Sequence, residues 1–301
     1  MKFANPRNDI AFKKIFGNEQ HKDVLISFLN AVLALEGDKA IQAIELLNPY
    51  QAPKLAGLKY TLLDVRAVDK RGVHFIVEMQ LENVAGLRKR FQYYAAKSYS
   101  GQIKRGDDYP RLNQVIFIGI LNFSEFSSEH WLSRHALLNR ENYAQELQDL
   151  EFYFIELPKF TKTESELDSI LDQWVYFLKH ADDLEVIPPI SDDIPAVRTA
   201  YEIADQFSWH QDELELYDYW GMKTQDERGA LQLVREQAKQ AEKTAEQRGE
   251  KRGEKRGEKR GEQRGRLAEK QDIARLLKTQ GVAVEIIMQS TGLTAAEIDS
   301  L

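Results

Sequence analysis

The chain has 301 residues, 43% of them hydrophobic and 10% aromatic, enough to bury a sizeable core in one large domain or two smaller ones. It contains no cysteine, which excludes disulfides, thiolate metal sites and cysteine nucleophiles, and its six histidines lack the paired spacing of a zinc site. The net charge of −7 hides an asymmetry: residues 247–266 carry nine Lys or Arg against four Glu, a local +5 that leaves about −12 for everything else.

The opening MKFANPRND has no apolar leader core, and no run approaches the length of a membrane span, so a cytoplasmic protein without membrane contact is expected. Asn8 or Asp9 can cap a helix through IAFKKIFG, which Gly17 ends. A strongly apolar helix follows in HKDVLISFLNAVLAL and stops near Gly37. IQAIELLNP reads as a strand closed by Asn48-Pro49.

Two further apolar runs, residues 60–69 and 73–82, each hold an acid at the centre: Asp64 in the first, Glu78 in the second. Their pairing decides what the acids mean. A four-residue loop would set Asp64 opposite Val77 and leave both sheet faces mixed. A three-residue loop, Lys70-Arg71-Gly72 with Gly72 in the left-handed position, makes one face nearly all apolar: Ala67/Phe75, Val65/Val77, Leu63/Met79 and Thr61/Leu81. The other face then holds Arg66/Ile76, Asp64/Glu78 and Leu62/Gln80. Because a one-residue slip would scramble both faces, the apolar pattern selects the three-residue loop. Asp64 and Glu78 then oppose each other directly, an arrangement that costs up to about 1 kcal/mol for like charges. A shared proton, a divalent cation held by the two carboxylates, or neutralisation by Arg66 or a nearby lysine would each offset that cost.

Residues 84–104 form an amphipathic helix in which Arg90, Tyr94 and Lys97 share one face. Tyr93, Tyr94 and Tyr99 interleave with Arg88, Lys89, Arg90 and Lys97, a mixture suited to phosphate and base contacts as well as to packing. VIFIGILNF (115–123) and EFYFIELPKF (151–160) are strands, with a polar helical insert expected between them. TESE, with Thr163 and Glu166 as a capping box, opens a helix through LDSILDQWVYFLKHA; after Pro188-Pro189, further helices run through 194–220.

Residues 226–246 read as a long exposed helix. Its seam of Leu231, Val234, Ala238, Ala241 and Ala245 suits either a homodimer contact or packing on its own domain. The four-residue repeat that follows puts glycine at every fourth position from Gly249 to Gly265, each costing roughly 1 kcal/mol in a helix relative to alanine, and reads as a flexible or frayed basic tether. DNA-backbone contact is the other reading. The tail, 269–301, holds three short helices separated by glycine turns, the last opened by a Thr294/Glu297 capping box. Its final helix has almost no basic residues, so a small interaction or dimerisation module is expected rather than a major-groove reader.

The segments NDIAFKKIFG, LLDVRAVDKRGVHFIVEMQL, RKRFQYYAAKSYSGQIKRGDDY, VIFIGILNF and WVYFLKHAD occur in the order expected of the recombination-promoting nuclease (Rpn), or putative transposase, family of the PD-(D/E)XK nuclease superfamily, which the chain resembles over about residues 5–225. The resemblance implies an α/β fold: a mixed β-sheet core flanked by helices, here with an α-helical C-terminal extension. It divides the chain into a nuclease core (1–160), a helical extension (161–225), a charged helix and basic glycine-rich tether (226–268) and a small helical tail (269–301). It implies a metal-dependent DNA endonuclease using Mg²⁺, Mn²⁺ or Ca²⁺, serving recombination, mobile elements or phage defense. Asp64, Glu78 and the backbone carbonyl of Met79 would be the metal ligands, and Asp9 an additional acid unless it is a plain helix cap. Gln80 stands where the family's lysine is usual, an amide that can orient water but brings no charge. Lys13, Arg90 and Lys97 are the candidate replacement cations and, with Tyr94, the candidate DNA contacts. Gln102, Gly106 and Tyr109 also match the family pattern. A nuclease fold that binds DNA or acts as a scaffold while cutting slowly or not at all is the alternative.

Overall fold

The computed structural model describes residues 1–51 and 61–301. The chain divides into two units, Met1–Asp226 and Glu227–Leu301.

The first unit is built on a six-stranded mixed sheet. In chain order its strands are β1 (Ile44–Leu46), β4 (Val65–Asp69), β5 (His74–Gln80), β6 (Val115–Leu121), β7 (Leu132–Leu137) and β8 (Leu147–Glu156); β2 (Tyr50–Gln51) and β3 (Thr61–Leu62) pair in a separate two-stranded ribbon. The spatial order is β1-β4-β5-β6-β8-β7, with β5, β6 and β8 parallel and the remaining pairs antiparallel. Parallel neighbours need a crossover, and α3 (Leu87–Ser100) supplies the one from β5 to β6. β6 is buried along its whole length, as a central parallel strand must be.

One sheet face presents Val65, Ala67, Phe75, Val77 and Met79 to α1 (Asp9–Phe16), α2 (Lys22–Leu33), α4 (Ile170–His180) and α5 (Pro195–Ala204). Phe16, Phe28, Trp174 and Phe177 interlock there with ring centroids 5–6 Å apart. The two helices read from the sequence as an extension therefore share the main core with the sheet. The opposite face presents Ile76, Phe117, Leu121 and Phe154 to Leu87, Phe91 and Ala95 of α3.

The central hairpin has the expected register, with Val65 opposite Val77, Ala67 opposite Phe75 and Val68 opposite His74. Its three-residue loop is tied by the Asp69 carboxylate, which accepts from the N–H groups of Arg71 and Val73. Gly72 adopts φ +84°, and a Cβ there would stand 2.8 Å from the Asn113 side chain, so glycine is required twice over.

Four expectations fail. The first apolar run is not one strand: its ladder stops at Val65, and Thr61–Leu62 pair with β2 instead. Leu63 consequently lies in the α3-side cluster, not beside Met79 as alternation predicts; Tyr60, where the run starts, lies outside the described residues. The insert after β6 holds the edge strand β7 rather than a helix, because pairing to β8 on one side only tolerates polar residues there. The Thr163/Glu166 capping box opens a separate 3₁₀ turn, and α4 begins at Ile170 with Ser169 as its own cap.

The fourth correction falls in the glycine repeat. A helix, α6, is continuous over Gln211–Thr279 and includes every repeat glycine. Three residues in each repeat are good helix formers, and each Lys meets a Glu at i,i+3, which offsets part of the glycine cost. Val234 of the seam is exposed, as are all residues from 232 to 270, so the helix does not pack on its own unit there. In the second unit the end of α6 packs with α7 (Val284–Thr291) and α8 (Ala295–Asp299) around Ala274, Ile287, Leu293 and Ile298. Among the described residues no helix is long and apolar enough to cross a membrane.

Candidate active site

The two suspect acids meet at the point where the hairpin ladder ends. The Met79 N–H donates to Asp64 Oδ2 (2.8 Å), and the Asp64 N–H donates to Glu78 Oε1 (3.1 Å). Each carboxylate thus takes a backbone donor from the other strand, replacing ladder bonds with side-chain bonds. The expected juxtaposition of Asp64 and Glu78 holds, although not as a strand pair.

Burial makes the pair electrostatically costly. Glu78 is 4% exposed, and its carboxyl is pushed well above its usual range by desolvation first and by the Asp64 charge second. Desolvation, opposed by the Met79 hydrogen bond and reinforced by the Asp9 charge, raises Asp64 to about 6.

The first helix supplies more charge. Asn8 is its cap, accepting from the Ile10 N–H at 2.9 Å, which frees Asp9 to face the site. Lys13 donates to Asp9 Oδ1 (2.6 Å) and lies 3.8 Å from Asp64 Oδ1, joining the two acids. From the other side α3 brings Arg90, whose charge opposes the rise at Glu78. Arg90 donates through Nη2 to Gln80 Oε1, Gln80 Nε2 donates to the Met79 carbonyl (3.0 Å), and the guanidinium stands 5.9 Å from the Tyr94 ring centroid.

The structure therefore gathers Asp9, Lys13, Asp64, Glu78, Gln80, Arg90 and Tyr94 at one place. It does not gather Lys97, which lies two turns along α3 over the Tyr93 ring at 5.9 Å. Arg66 does not neutralise the acids either, since its Nη1 donates to the Asn48 carbonyl at 2.7 Å. Gln102 brackets the loop before β6 by pairing with the Asn113 backbone, Gly106 takes φ +95°, and Tyr109 is 79% exposed. Sequence reasoning missed the Arg90–Gln80–Met79 chain of contacts. Its one signal was an amide where a cation is usual, ten residues before an arginine.

Among the described residues no group of three or more His, Asp or Glu side chains is placed to hold a metal ion. The two carboxylates and the Met79 carbonyl, which keeps a second lone pair beside the Gln80 bond, are a hard-oxygen set. They fit a cation of the magnesium type, which takes one or two carboxylates and completes its shell with water and phosphate.

A mixed sheet between helices, with an Asp and a Glu-x-Gln meeting at the end of its central hairpin, is the arrangement expected of the PD-(D/E)XK fold class. The profile of the PD-(D/E)XK nuclease family transposases matches residues 6–234, and the chain belongs to that family. No curated protein and no solved structure shows significant similarity to the chain.

Proposed function

We propose that the protein is a divalent-metal-dependent DNA endonuclease that hydrolyses phosphodiester bonds, in recombination, mobile-element movement or phage defense. The observation that carries this reading is the clasp between Asp64 and Glu78, a half-buried and a buried carboxylate held side by side. Asp64, Glu78 and the Met79 carbonyl would hold Mg²⁺, Mn²⁺ or Ca²⁺; bound there, such an ion supplies Lewis acidity and an acidified water. The chain's own groups do the rest. The Met79 N–H orients the Asp64 carboxylate, and Lys13 keeps Asp9 and Asp64 together. Arg90 and Tyr94 offer a cationic and aromatic wall for the substrate backbone, with Lys97 further along the same helix as a phosphate contact.

The test is plasmid nicking with Mg²⁺, Mn²⁺ or Ca²⁺ by the wild type, Asp64→Ala and Glu78→Ala. Cleavage by the wild type and loss of at least 100-fold in both variants is expected. Equal nicking by all three would place the activity elsewhere and end the nuclease reading. A gel shift without any cleavage would favour the DNA-binding or scaffolding alternative, for which Gln80 in place of lysine is the supporting observation.

A further inference from the structure

Position 80 lacks the lysine, yet the positive charge is not missing from the site. Arg90 donates to Gln80 Oε1, two residues along β5 from Glu78. A guanidinium can only donate, so Gln80 must turn its carbonyl oxygen toward Arg90. Its amide nitrogen is then directed to the Met79 carbonyl, where it is found at 3.0 Å. The amide thus bridges an arginine on α3 to the backbone of the strand that carries Glu78.

Lysine could not make this bridge. It accepts no hydrogen bond, and its ammonium would stand against the guanidinium. The amide at 80 and the arginine at 90 therefore fit each other. Two more observations hold Arg90 in this role. It lies over the Tyr94 ring, and its Nε is buried without a hydrogen-bond partner, a donor that the protein itself leaves unused. Lys13 is not an equivalent cation, because its ammonium already joins Asp9 and Asp64.

We propose that Arg90 and Gln80 act as one unit in place of the lysine. Arg90 is the catalytic cation, offsetting charge that develops on the scissile phosphate, and Gln80 is the positioning residue that fixes it to the end of β5. This inference rests on the nuclease reading above.

The experiment is a mutational cycle in the plasmid assay with Mg²⁺ or Mn²⁺: wild type, Arg90→Met, Gln80→Lys, the double variant and Asp64→Ala. Arg90→Met is expected to lower kcat by about 100-fold with little change in KM, on the scale of losing one transition-state donor. Gln80→Lys alone is also expected to be slow, because it opposes two cations. The double variant, with one cation returned to the strand, should exceed each single variant at least tenfold. A merely structural role for either residue gives no such mutual rescue. Should Arg90→Met melt early, Arg90→Gln takes its place in the same cycle. Full activity in the Arg90 variant, or a double variant no faster than the slower single one, overturns the proposal while Asp64-dependent cleavage leaves the nuclease reading intact. Equal nicking by the wild type and Asp64→Ala overturns both.

Discussion

At the scale of single residues, the site is shaped by groups that would rather not be ionised. Burial raises Asp64 to about 6 and Glu78 further above its usual range. An acid whose folded pKa lies above its unfolded value binds extra protons when folded, so its stabilising effect is complete at low pH and is lost as pH rises. For Asp64 that window opens near the ordinary value of 3.8 and closes near 6, and Glu78 prolongs it upward. With EDTA present, Asp64→Asn should therefore melt higher than the wild type at pH 7.5, by roughly 1–3 kcal/mol of stability. The gap should close near pH 4. Thermal melts at the two pH values check this, and an Asn variant that is less stable at both would refute it. Asn keeps an acceptor for the Met79 N–H, so the comparison isolates the charge. Juxtaposition of these acids was legible in the sequence because Gly72 and the apolar alternation fixed the register. Arg90's reach to Gln80 was not, since helix position relative to a strand end depends on tertiary packing.

Individual elements show where local pattern and tertiary context part. The alternation of the first apolar run continues through Leu63, so nothing local announces that the ladder stops at Val65. The ladder stops where Asp64 accepts from the Met79 N–H and Glu78 accepts from the Asp64 N–H, contacts between residues 14 and 15 apart in the chain. β7, with Ser133, Arg134 and His135 at its centre, lacks a clean apolar face because it is the sheet's edge, so its sequence carries no strand alternation. In α6 the reverse occurred: glycine spacing pointed to a tether, while Glu, Lys and Arg between the glycines sustain a helix. The glycines at 253, 257 and 261 have open space where a Cβ would stand. Changing all three to alanine should therefore strengthen the helix by about 1 kcal/mol per site. Circular dichroism at 222 nm should show a gain in signal and a later loss of helix on heating. A weakened helix would mean that the bare glycine faces are used.

For the molecule as a whole, the division at Asp226/Glu227 separates a unit with a sheet and two cores from one with a four-residue core. All seven residues gathered at the acid pair belong to the first unit. Residues 1–226 alone should consequently fold with a single cooperative transition and keep Asp64-dependent cleavage. Loss of the folded state on truncation would show instead that the second unit contributes to the stability of the first. The central hairpin and the helix order were readable from the chain because each rests on periodicity or on a glycine turn, while the α/β class with its mixed sheet came with the family resemblance. The assignment of α4 and α5 to the main core was not, since an amphipathic helix does not name the surface it covers.

The clasp at the end of the hairpin has a consequence for how the protein can change. Asp64 and Glu78 close the sheet where ordinary ladder bonds stop, each accepting from the opposite strand's backbone. A lineage that lost all need to cut DNA would still open this seam by placing there a side chain that cannot accept a hydrogen bond. Selection for a folded chain alone would thus preserve an acceptor at both positions but not its charge, and would favour the amides over the acids. Among descendants of such a protein, retained carboxylates would record use, and Asn or Gln in their place would record its loss.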